Sequence, residues 1–185
     1  MKIHKTASVG SLAAKEKNDF TPLQPHDSDE FYMKLALAEA QKAAAIGEVP
    51  VGAVIVQCEQ NREPLTIACA HNQRETLKDP TAHAEILCLR SAGARLNNWQ
   101  LLDCTLYVTL EPCTMCAGAL TNARIRRIVF GCFDPKAGAT GSLYNIPADE
   151  RLNHRPELTG GVLADEASHL LKAFFRARRK PKGQK

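Results

Sequence analysis

Four side chains in the sequence combine the chemistry of metal binding with that of proton transfer. Cys113 and Cys116 stand three positions apart, so both thiols face the same side of a helical turn. Two thiolates and the imidazole of His83 are ligands typical of zinc, and three protein ligands leave the fourth tetrahedral position open to water, as in catalytic zinc sites. Glu85, two positions after His83, is placed to carry protons between that water and a substrate. The sequence therefore predicts one catalytic zinc centre per chain.

Each of these residues also has an interpretation without catalysis. Glu85 is then a solvated carboxylate, His83 a core histidine, and the two cysteines are buried apolar side chains; alternatively, a distant histidine completes a structural zinc site. A lone His-x-Glu pattern recurs by chance, and Pro-Cys-x-x-Cys is rarer. The occurrence of both in this order, each at the start of a predicted helix, favours the catalytic interpretation.

The pattern of apolar residues predicts the elements that position these side chains. The predicted elements are a helix at 27–47, strands at 50–56 and 65–70 that form a hairpin, a helix at 81–95, a strand at 104–110, a helix at 112–122, a strand at 125–131, a long loop at 132–154 and a helix at 165–179. Asp27 and Glu30 match a capping box, and Pro112 suits the first position of its helix. Two successive strand–helix–strand units predict parallel neighbouring strands, with helices on both faces of the sheet.

Length and composition indicate one globular domain at 27–180. The chain has 185 residues, of which 44% are hydrophobic and 24% charged. Its longest apolar stretch, at 49–56, is about eight residues long, whereas a membrane helix needs about 20, so no membrane span is expected. The absence of a secretory signal and the odd number of cysteines, seven, favour the reducing cytoplasm. The five cysteines outside the close pair are scattered, and most are predicted to be small buried residues.

The two ends of the chain differ from this domain. Residues 1–26 are weakly patterned and are predicted to form a mobile extension; a transit peptide is the less favoured interpretation, because Glu16 and Asp19 are acidic. Seven basic and no acidic residues follow Glu166, while the whole chain carries a net charge of +4, and the last of them lie in a basic tail at 181–185. Such a patch suits a polyanion such as nucleic acid, or else only solubilises the chain.

The zinc motifs resemble those of the zinc-dependent nucleobase deaminases, for which this order of His-x-Glu and Pro-Cys-x-x-Cys is the known signature. The resemblance is closest to the bacterial tRNA-specific adenosine deaminases and covers roughly residues 29–180. Beyond the zinc motifs it includes Asn72 and the segments 48–54, 79–86, 106–113, 115–119, 138–142, 153–155 and 174–179. The last three segments separate this subfamily from deaminases of free bases and nucleosides.

The resemblance implies a fold, an activity and partners. The fold is α/β, a three-layer α/β/α sandwich with a five-stranded mixed sheet, as in cytidine deaminases. The activity is hydrolytic deamination of adenosine to inosine at the wobble position of a tRNA anticodon, with Zn²⁺ in each subunit of a homodimer. The partner is the anticodon stem-loop, whose target base must be splayed out to reach a recessed metal.

The resemblance also assigns substrate-binding residues. These are Glu48, Asn72, Ala84, Asp134, Lys136, Phe175 and Arg178. Asn72 is expected to bond the flipped nucleotide, unless it only forms a local turn. Asp134 and Lys136 belong to a loop that contacts the anticodon backbone. Phe175 offers a stacking face unless it packs in the core, and Arg178 offers a phosphate contact.

Two other functions remain open from the sequence. A guanine or cytosine deaminase acting on free bases would keep the zinc motifs but has no use for a basic C-terminal helix. A non-catalytic zinc module that binds RNA would have no use for Glu85, because a structural site needs no carboxylate beside an open coordination position.

Overall fold

The protein is described by a computed structural model over residues 29–179, which contain one five-stranded sheet flanked by helices. The elements in chain order are α1 (Asp29–Ala45), β1 (Gly52–Gln57), β2 (Leu65–His71), α2 (Arg74–Leu77), α3 (Ala84–Leu96), β3 (Cys104–Leu110), α4 (Thr114–Asn122), β4 (Arg127–Cys132), a 3₁₀ helix (Ile146–Ala148), β5 (Glu157–Gly160) and α5 (Ala164–Arg178). The mobile extension predicted at 1–26, the Asp27 cap and the basic tail at 181–185 lie outside the described residues.

The sheet is mixed, with the strand order β2-β1-β3-β4-β5. β1 runs antiparallel to both of its neighbours, β2 and β3, whereas β3, β4 and β5 run parallel to one another. This confirms the expected hairpin of the first two strands and the five-stranded mixed sheet. The expectation that both strand–helix–strand units give parallel neighbours is wrong for the first unit, because β1 lies between β2 and β3.

Two apolar clusters on opposite faces of the sheet confirm the three-layer fold. One cluster joins α3 and α4 to one side of the strands and includes Ile55, Cys88, Leu106, Leu120 and Ile128. The other joins α1 to the opposite side and includes Met33, Ala36, Val54, Val56 and Val129. Because successive strand residues point to opposite faces, β1 contributes to both clusters and is buried throughout its apolar part.

Several element boundaries differ from the sequence prediction. α4 begins at Thr114, so Pro112 precedes the helix and Cys113 is its N-cap. α3 begins at Ala84 rather than at position 81, with His83 as its N-cap. The predicted loop at 132–154 contains the 3₁₀ helix, and β5 follows it as a strand that apolar periodicity did not predict. β5 has only four residues, none of them buried, and therefore lacks the apolar alternation that identifies a strand.

A partly buried ion pair joins the beginning of α1 to the sheet. The Arg127 guanidinium donates to both carboxylate oxygens of Asp29, at 2.8 and 2.7 Å, and the Tyr107 hydroxyl donates to the same carboxylate at 3.1 Å. A paired guanidinium and carboxylate of this geometry fix orientation as well as distance. Within residues 29–179, no helix has the length and apolar character needed to cross a membrane.

α1 lies so close to β1 that one position of the strand accepts no side chain. A Cβ atom at Gly52 would overlap the Ala36 carbonyl oxygen and the Ala40 nitrogen, both in the backbone of α1. Gly52 therefore sets the distance between the helix and the sheet.

Gly52→Ala should destabilise the protein by about 1–3 kcal/mol, because α1 must move away from β1 and this loosens the apolar cluster that joins α1 to the sheet. The measurement is the free energy of unfolding from urea titration. Gly118→Ala on α4 is the matched control, since a Cβ there meets nothing within 4 Å. The control should leave stability unchanged or raise it by up to about 1 kcal/mol, the helix propensity gained over glycine. Equal stability of the two variants would contradict the packing argument.

Candidate metal centre and active site

His83 and Cys113 occupy the same structural position on two different helices. Each is the N-cap of its helix, with extended backbone angles of φ −77° and ψ 152° at His83 and φ −74° and ψ 176° at Cys113. Neither side chain caps its own helix, so both remain available for a ligand. The positive ends of α3 and α4 therefore meet at this point, as the sequence predicts, and they favour anionic sulfur.

The side chain of Asn72 caps α3 in place of His83. Its Oδ1 accepts a hydrogen bond of 2.9 Å from the Ala84 backbone N–H, one of the donors that a helix start leaves unpaired. Asn72 is buried, and its backbone N–H donates to the Val51 carbonyl at 3.0 Å. The contact joins residues 12 positions apart, so the interpretation of Asn72 as a local turn residue is wrong.

The three predicted metal ligands lie together at distances that suit one zinc ion. His83 Nδ1 is 3.7 Å from Cys113 Sγ and 3.5 Å from Cys116 Sγ, and the three donor atoms all lie within 4.8 Å of one another. A tetrahedral zinc ion with Zn–N of about 2.05 Å and Zn–S of about 2.3 Å separates nitrogen and sulfur by about 3.6 Å. The residues present therefore fit a zinc ion bound by three protein ligands.

The pKa values of the two thiols and of His83 are shifted in a way that suits the binding of a cation. A hydrogen bond from the Cys116 thiol, helped by one with His83, outweighs burial and lowers the pKa of Cys113 to about 4. The same contact, together with burial, raises the pKa of Cys116, which keeps the proton that Cys113 has lost. The thiolate of Cys113 in turn raises the pKa of His83. A metal ion entering this set would displace the remaining protons, so that binding is linked to pH.

Glu85 is a buried carboxylate with one unsatisfied oxygen beside the three ligands. The residue is 4% exposed, and its Oε2 has no hydrogen-bond partner among the described residues. Burial raises the pKa of Glu85 above its usual range, although His83 and a hydrogen bond with Cys116 act in the opposite direction. A buried acceptor without a partner is costly to keep, and it fits a water molecule at the open metal position.

Glu48, which resemblance assigns to the substrate, lies buried against the segment that carries Asn72. Its Oε1 accepts hydrogen bonds from Thr76, 2.6 Å from the backbone nitrogen and 2.8 Å from the hydroxyl. Burial opposes the charge of Glu48, but these hydrogen bonds outweigh it and hold its pKa below the usual range. The structure thus gives Glu48 the task of fastening α2.

Asp134 and Lys136 lie in the loop after β4, as predicted. The Asp134 carboxylate accepts the backbone N–H of Lys136 at 2.9 Å, which closes a tight turn and leaves the Lys136 side chain exposed. The same loop is bonded to Glu111, a residue to which the sequence assigned no task. Glu111 lies in the segment 106–113 that carries the family resemblance, but its task could not be read from the sequence, because its partners include backbone N–H groups 23 to 31 positions later.

The C-terminal helix presents an aromatic and cationic surface. Phe174 is half-buried, while Phe175 is 47% exposed, so at most one of the two rings belongs to the core, as the sequence predicts. The two rings contact edge to face at 5.5 Å, and the Arg178 guanidinium lies 4.9 Å from the centre of the Phe174 ring. Phe175 and Arg178 are therefore both available to a partner.

Comparison with known proteins identifies relatives over most of the chain. The family model for the cytidine and deoxycytidylate deaminase zinc-binding region matches residues 26–132. A tRNA-specific adenosine deaminase of Bacillus subtilis is 52% identical over 83% of this chain and 92% of its own length. One of Haemophilus influenzae is 48% identical over 92% of this chain and 91% of its own length. A solved structure from studies of A-to-I editing by tRNA:A34 deaminases is 43% identical, covers 76% of this chain and 98% of its own, and superimposes with a TM-score of 0.70.

Removing both sulfur ligands should remove the metal. The unaltered chain should contain about one equivalent of zinc, and Cys113→Ala combined with Cys116→Ala should contain little. Elemental analysis measures the zinc, and the thiolate charge-transfer absorption of the cobalt-substituted protein identifies the ligands. Cys69→Ala is the control, because Cys69 is an exposed free cysteine on β2 and should not affect the metal. Zinc at full stoichiometry in the double variant would exclude this ligand set.

Proposed function

Because the chain belongs to the zinc-dependent deaminase family of the cytidine and deoxycytidylate deaminases, we propose that it converts adenosine to inosine at the wobble position of a tRNA anticodon. The observation that carries the chemistry is the unpartnered Glu85 oxygen beside His83, Cys113 and Cys116. The substrate follows from the relatives that are named tRNA-specific adenosine deaminases.

The reaction consumes one water molecule and releases ammonia. Water adds its oxygen to carbon 6 of adenine, the bond from carbon 6 to the exocyclic nitrogen breaks, and the carbonyl of inosine remains. The zinc held by His83, Cys113 and Cys116 would supply a Lewis acid that lowers the pKa of water to roughly 7. Glu85 takes one proton from the water and delivers it to ring nitrogen 1, which keeps it in inosine; it then takes the second proton from the hydroxyl group now on carbon 6 and delivers it to the departing amine. Burial raises the pKa of Glu85, which favours the uptake of a proton by this carboxylate.

The target nucleotide has to leave its stack to reach this buried carboxylate. Asn72 directly follows β2 and bonds to Ala84, the first residue of α3 and the residue after His83, so the proposed position of the base lies beside these two residues. Asn72 uses its oxygen on Ala84, which leaves its amide nitrogen to bond the nucleotide. Glu48, also assigned to the substrate by resemblance, bonds Thr76 through its Oε1 and so supports this edge of the pocket.

The remaining RNA contacts would come from two surfaces. Asp134 and Lys136 lie in the loop that follows β4, and the exposed Lys136 ammonium suits a backbone phosphate. Phe175 and Arg178 on α5 offer a stacking face and a second phosphate contact. The basic character of the C-terminal helix distinguishes this function from free-base deamination, which needs no polyanion site.

The active assembly that we propose is a homodimer in the cytoplasm. Large exposed apolar side chains lie on the segments that flank the metal-binding helices: Leu77 is 52%, Leu143 53% and Tyr144 60% exposed. Such side chains are available for a subunit contact next to the site. All seven cysteines are free thiols, in agreement with a reducing compartment.

The direct test is incubation of the purified zinc protein with an anticodon stem-loop that carries adenosine at the wobble position. Sequencing should then show inosine at that position and no change at other adenosines. Ammonia release from guanine or cytosine in place of RNA would support a free-base deaminase. RNA binding without inosine would support the non-catalytic module.

Glu85→Gln should retain the zinc and the fold and lose deamination. A general acid–base group contributes about 10²–10⁴-fold, and Glu85 serves several proton transfers, so the loss should lie at the upper end or beyond. Single-turnover rates of inosine formation measure the loss, with zinc analysis in parallel. A rate within tenfold of the unaltered protein would remove Glu85 from the chemistry.

Arg178→Ala combined with Arg179→Ala should weaken RNA binding without affecting the metal. Both side chains are exposed, and each lost phosphate contact should reduce the slope of log Kd against log salt by about one unit. The measurements are Kd for the stem-loop at several salt concentrations, zinc content and Tm. Arg62→Ala, an exposed arginine on the β1–β2 turn, is the control and should leave the slope unchanged. An unchanged slope in the double variant would reduce this helix to a solubilising surface.

A further inference from the structure

The loop after β4 is organised around a single buried carboxylate, that of Glu111. Glu111 is 2% exposed and lies directly before Pro112 and the metal ligand Cys113. Its Oε2 accepts the Asp134 backbone N–H at 2.9 Å and the Ser142 hydroxyl. Its Oε1 accepts the backbone N–H of Thr140 at 3.1 Å and of Ser142 at 2.9 Å. Four donors from the loop thus converge on one side chain.

Backbone hydrogen bonds also connect Glu111 and its neighbours to the end of β4 and to the loop that follows it. The Glu111 N–H donates to the Cys132 carbonyl at 2.9 Å, and the Ala139 N–H donates to the Pro112 carbonyl at 2.8 Å. Cys113 itself pairs with Gly138 in an isolated antiparallel bridge. These contacts join the loop to residues 111–113, the last of which is the metal ligand Cys113. A displacement of the loop therefore requires a displacement of these three residues.

Gly138 shows how closely the loop approaches the carboxylate. A Cβ atom at Gly138 would overlap the carboxyl group of Glu111 and the Asp134 carbonyl oxygen. Only a residue without a side chain permits this approach, and the approach brings the N–H groups of the loop within hydrogen-bond distance. The carboxylate of Glu111 and the lack of a side chain at Gly138 therefore act together to bring the loop to this position.

We propose that Glu111 is a positioning residue that holds the RNA-contacting loop in register with the metal centre. The inference rests on the proposed function, since it assigns substrate contacts to Asp134 and Lys136. Glu111 does not touch the substrate; it orders the loop before RNA arrives. Pre-ordering lowers the entropy that binding would otherwise lose, so Glu111 acts on affinity rather than on the chemical step.

A carboxylate is required because all four partners are donors. Glutamine has the same shape, but its amide group would present N–H donors to the N–H and hydroxyl donors of the loop, and the loop would have to move. Glu111→Gln should therefore raise KM for the anticodon stem-loop at least about tenfold and keep kcat within about threefold of the unaltered protein. Zinc content should remain near one equivalent.

A milder variant tests the same contact from the loop side. Ser142→Ala removes one of the four donors and should raise KM by a smaller factor, about threefold. Combining it with Glu111→Gln should raise KM by less than the product of the two single effects, because both variants disturb one contact. Glu59→Gln is the matched control: the same chemical change on a partly exposed glutamate of the β1–β2 turn, paired with Arg62 and not with the loop after β4, should leave KM unchanged.

Hydrogen exchange of the loop tests the arrangement without RNA. The backbone amides of Asp134, Thr140 and Ser142 should be protected in the unaltered protein and lose protection in Glu111→Gln, while the β3 amides keep theirs. Wild-type protein that deaminates no RNA would reject the proposed function, whereas unchanged protection in Glu111→Gln would reject the loop arrangement. If Glu111→Gln loses its zinc, the KM of Ser142→Ala becomes the measurement that decides on the positioning role. An unchanged KM in Ser142→Ala, or a loss confined to kcat in Glu111→Gln, would overturn the positioning role.

Discussion

The directions of β2 and β3 relative to β1 determine where the site can form. Both strands run antiparallel to β1, so their C-terminal ends lie at the same edge of the sheet although the strands are not neighbours. The chain continues from that edge into α3 and α4, whose N-terminal ends consequently meet. A ligand in an N-cap position projects away from its helix, and two such positions facing each other hold His83 and Cys113 at bonding distance from one ion.

Three of the four buried glutamates among the described residues, Glu48, Glu85 and Glu111, differ in the partners that surround their carboxylates. Glu48 and Glu111 accept hydrogen bonds from backbone N–H groups, and these bonds hold their pKa values below the usual range against the effect of burial. Glu85 has an oxygen without a partner, and burial raises its pKa. A carboxylate that donors satisfy suits a structural task, whereas one with an unsatisfied oxygen keeps its capacity to take up a proton, as the role proposed for Glu85 requires.

The sequence predicted the metal-binding cluster correctly, because ligand chemistry is carried by residue type and by short spacing. It also predicted the mixed α/β sheet, although the fifth strand came from family resemblance; β5 is too short and too exposed to show periodicity. The tasks of Glu111 and Glu48 could not be predicted, because each depends on backbone donors that only the folded chain brings near. The prediction that Pro112 begins its helix was wrong for a related reason. The direction required of the Cys113 side chain decides where the helix begins, and it outweighs the local preference of proline for the first helical position.

The light burial of α5 gives the two ends of the proposed RNA surface different local stabilities. Ala167 is the buried residue of this helix, whereas the loop after β4 is fastened to the metal edge by Glu111. An element with few buried contacts opens at a free energy below that of global unfolding. α5 should therefore exchange between closed and open forms while the rest of the domain stays folded, and a bound polyanion would shift this equilibrium by mass action. In the proposed complex with RNA, the loop near the metal would therefore be the more rigid part of the contact surface and α5 the more adaptable part.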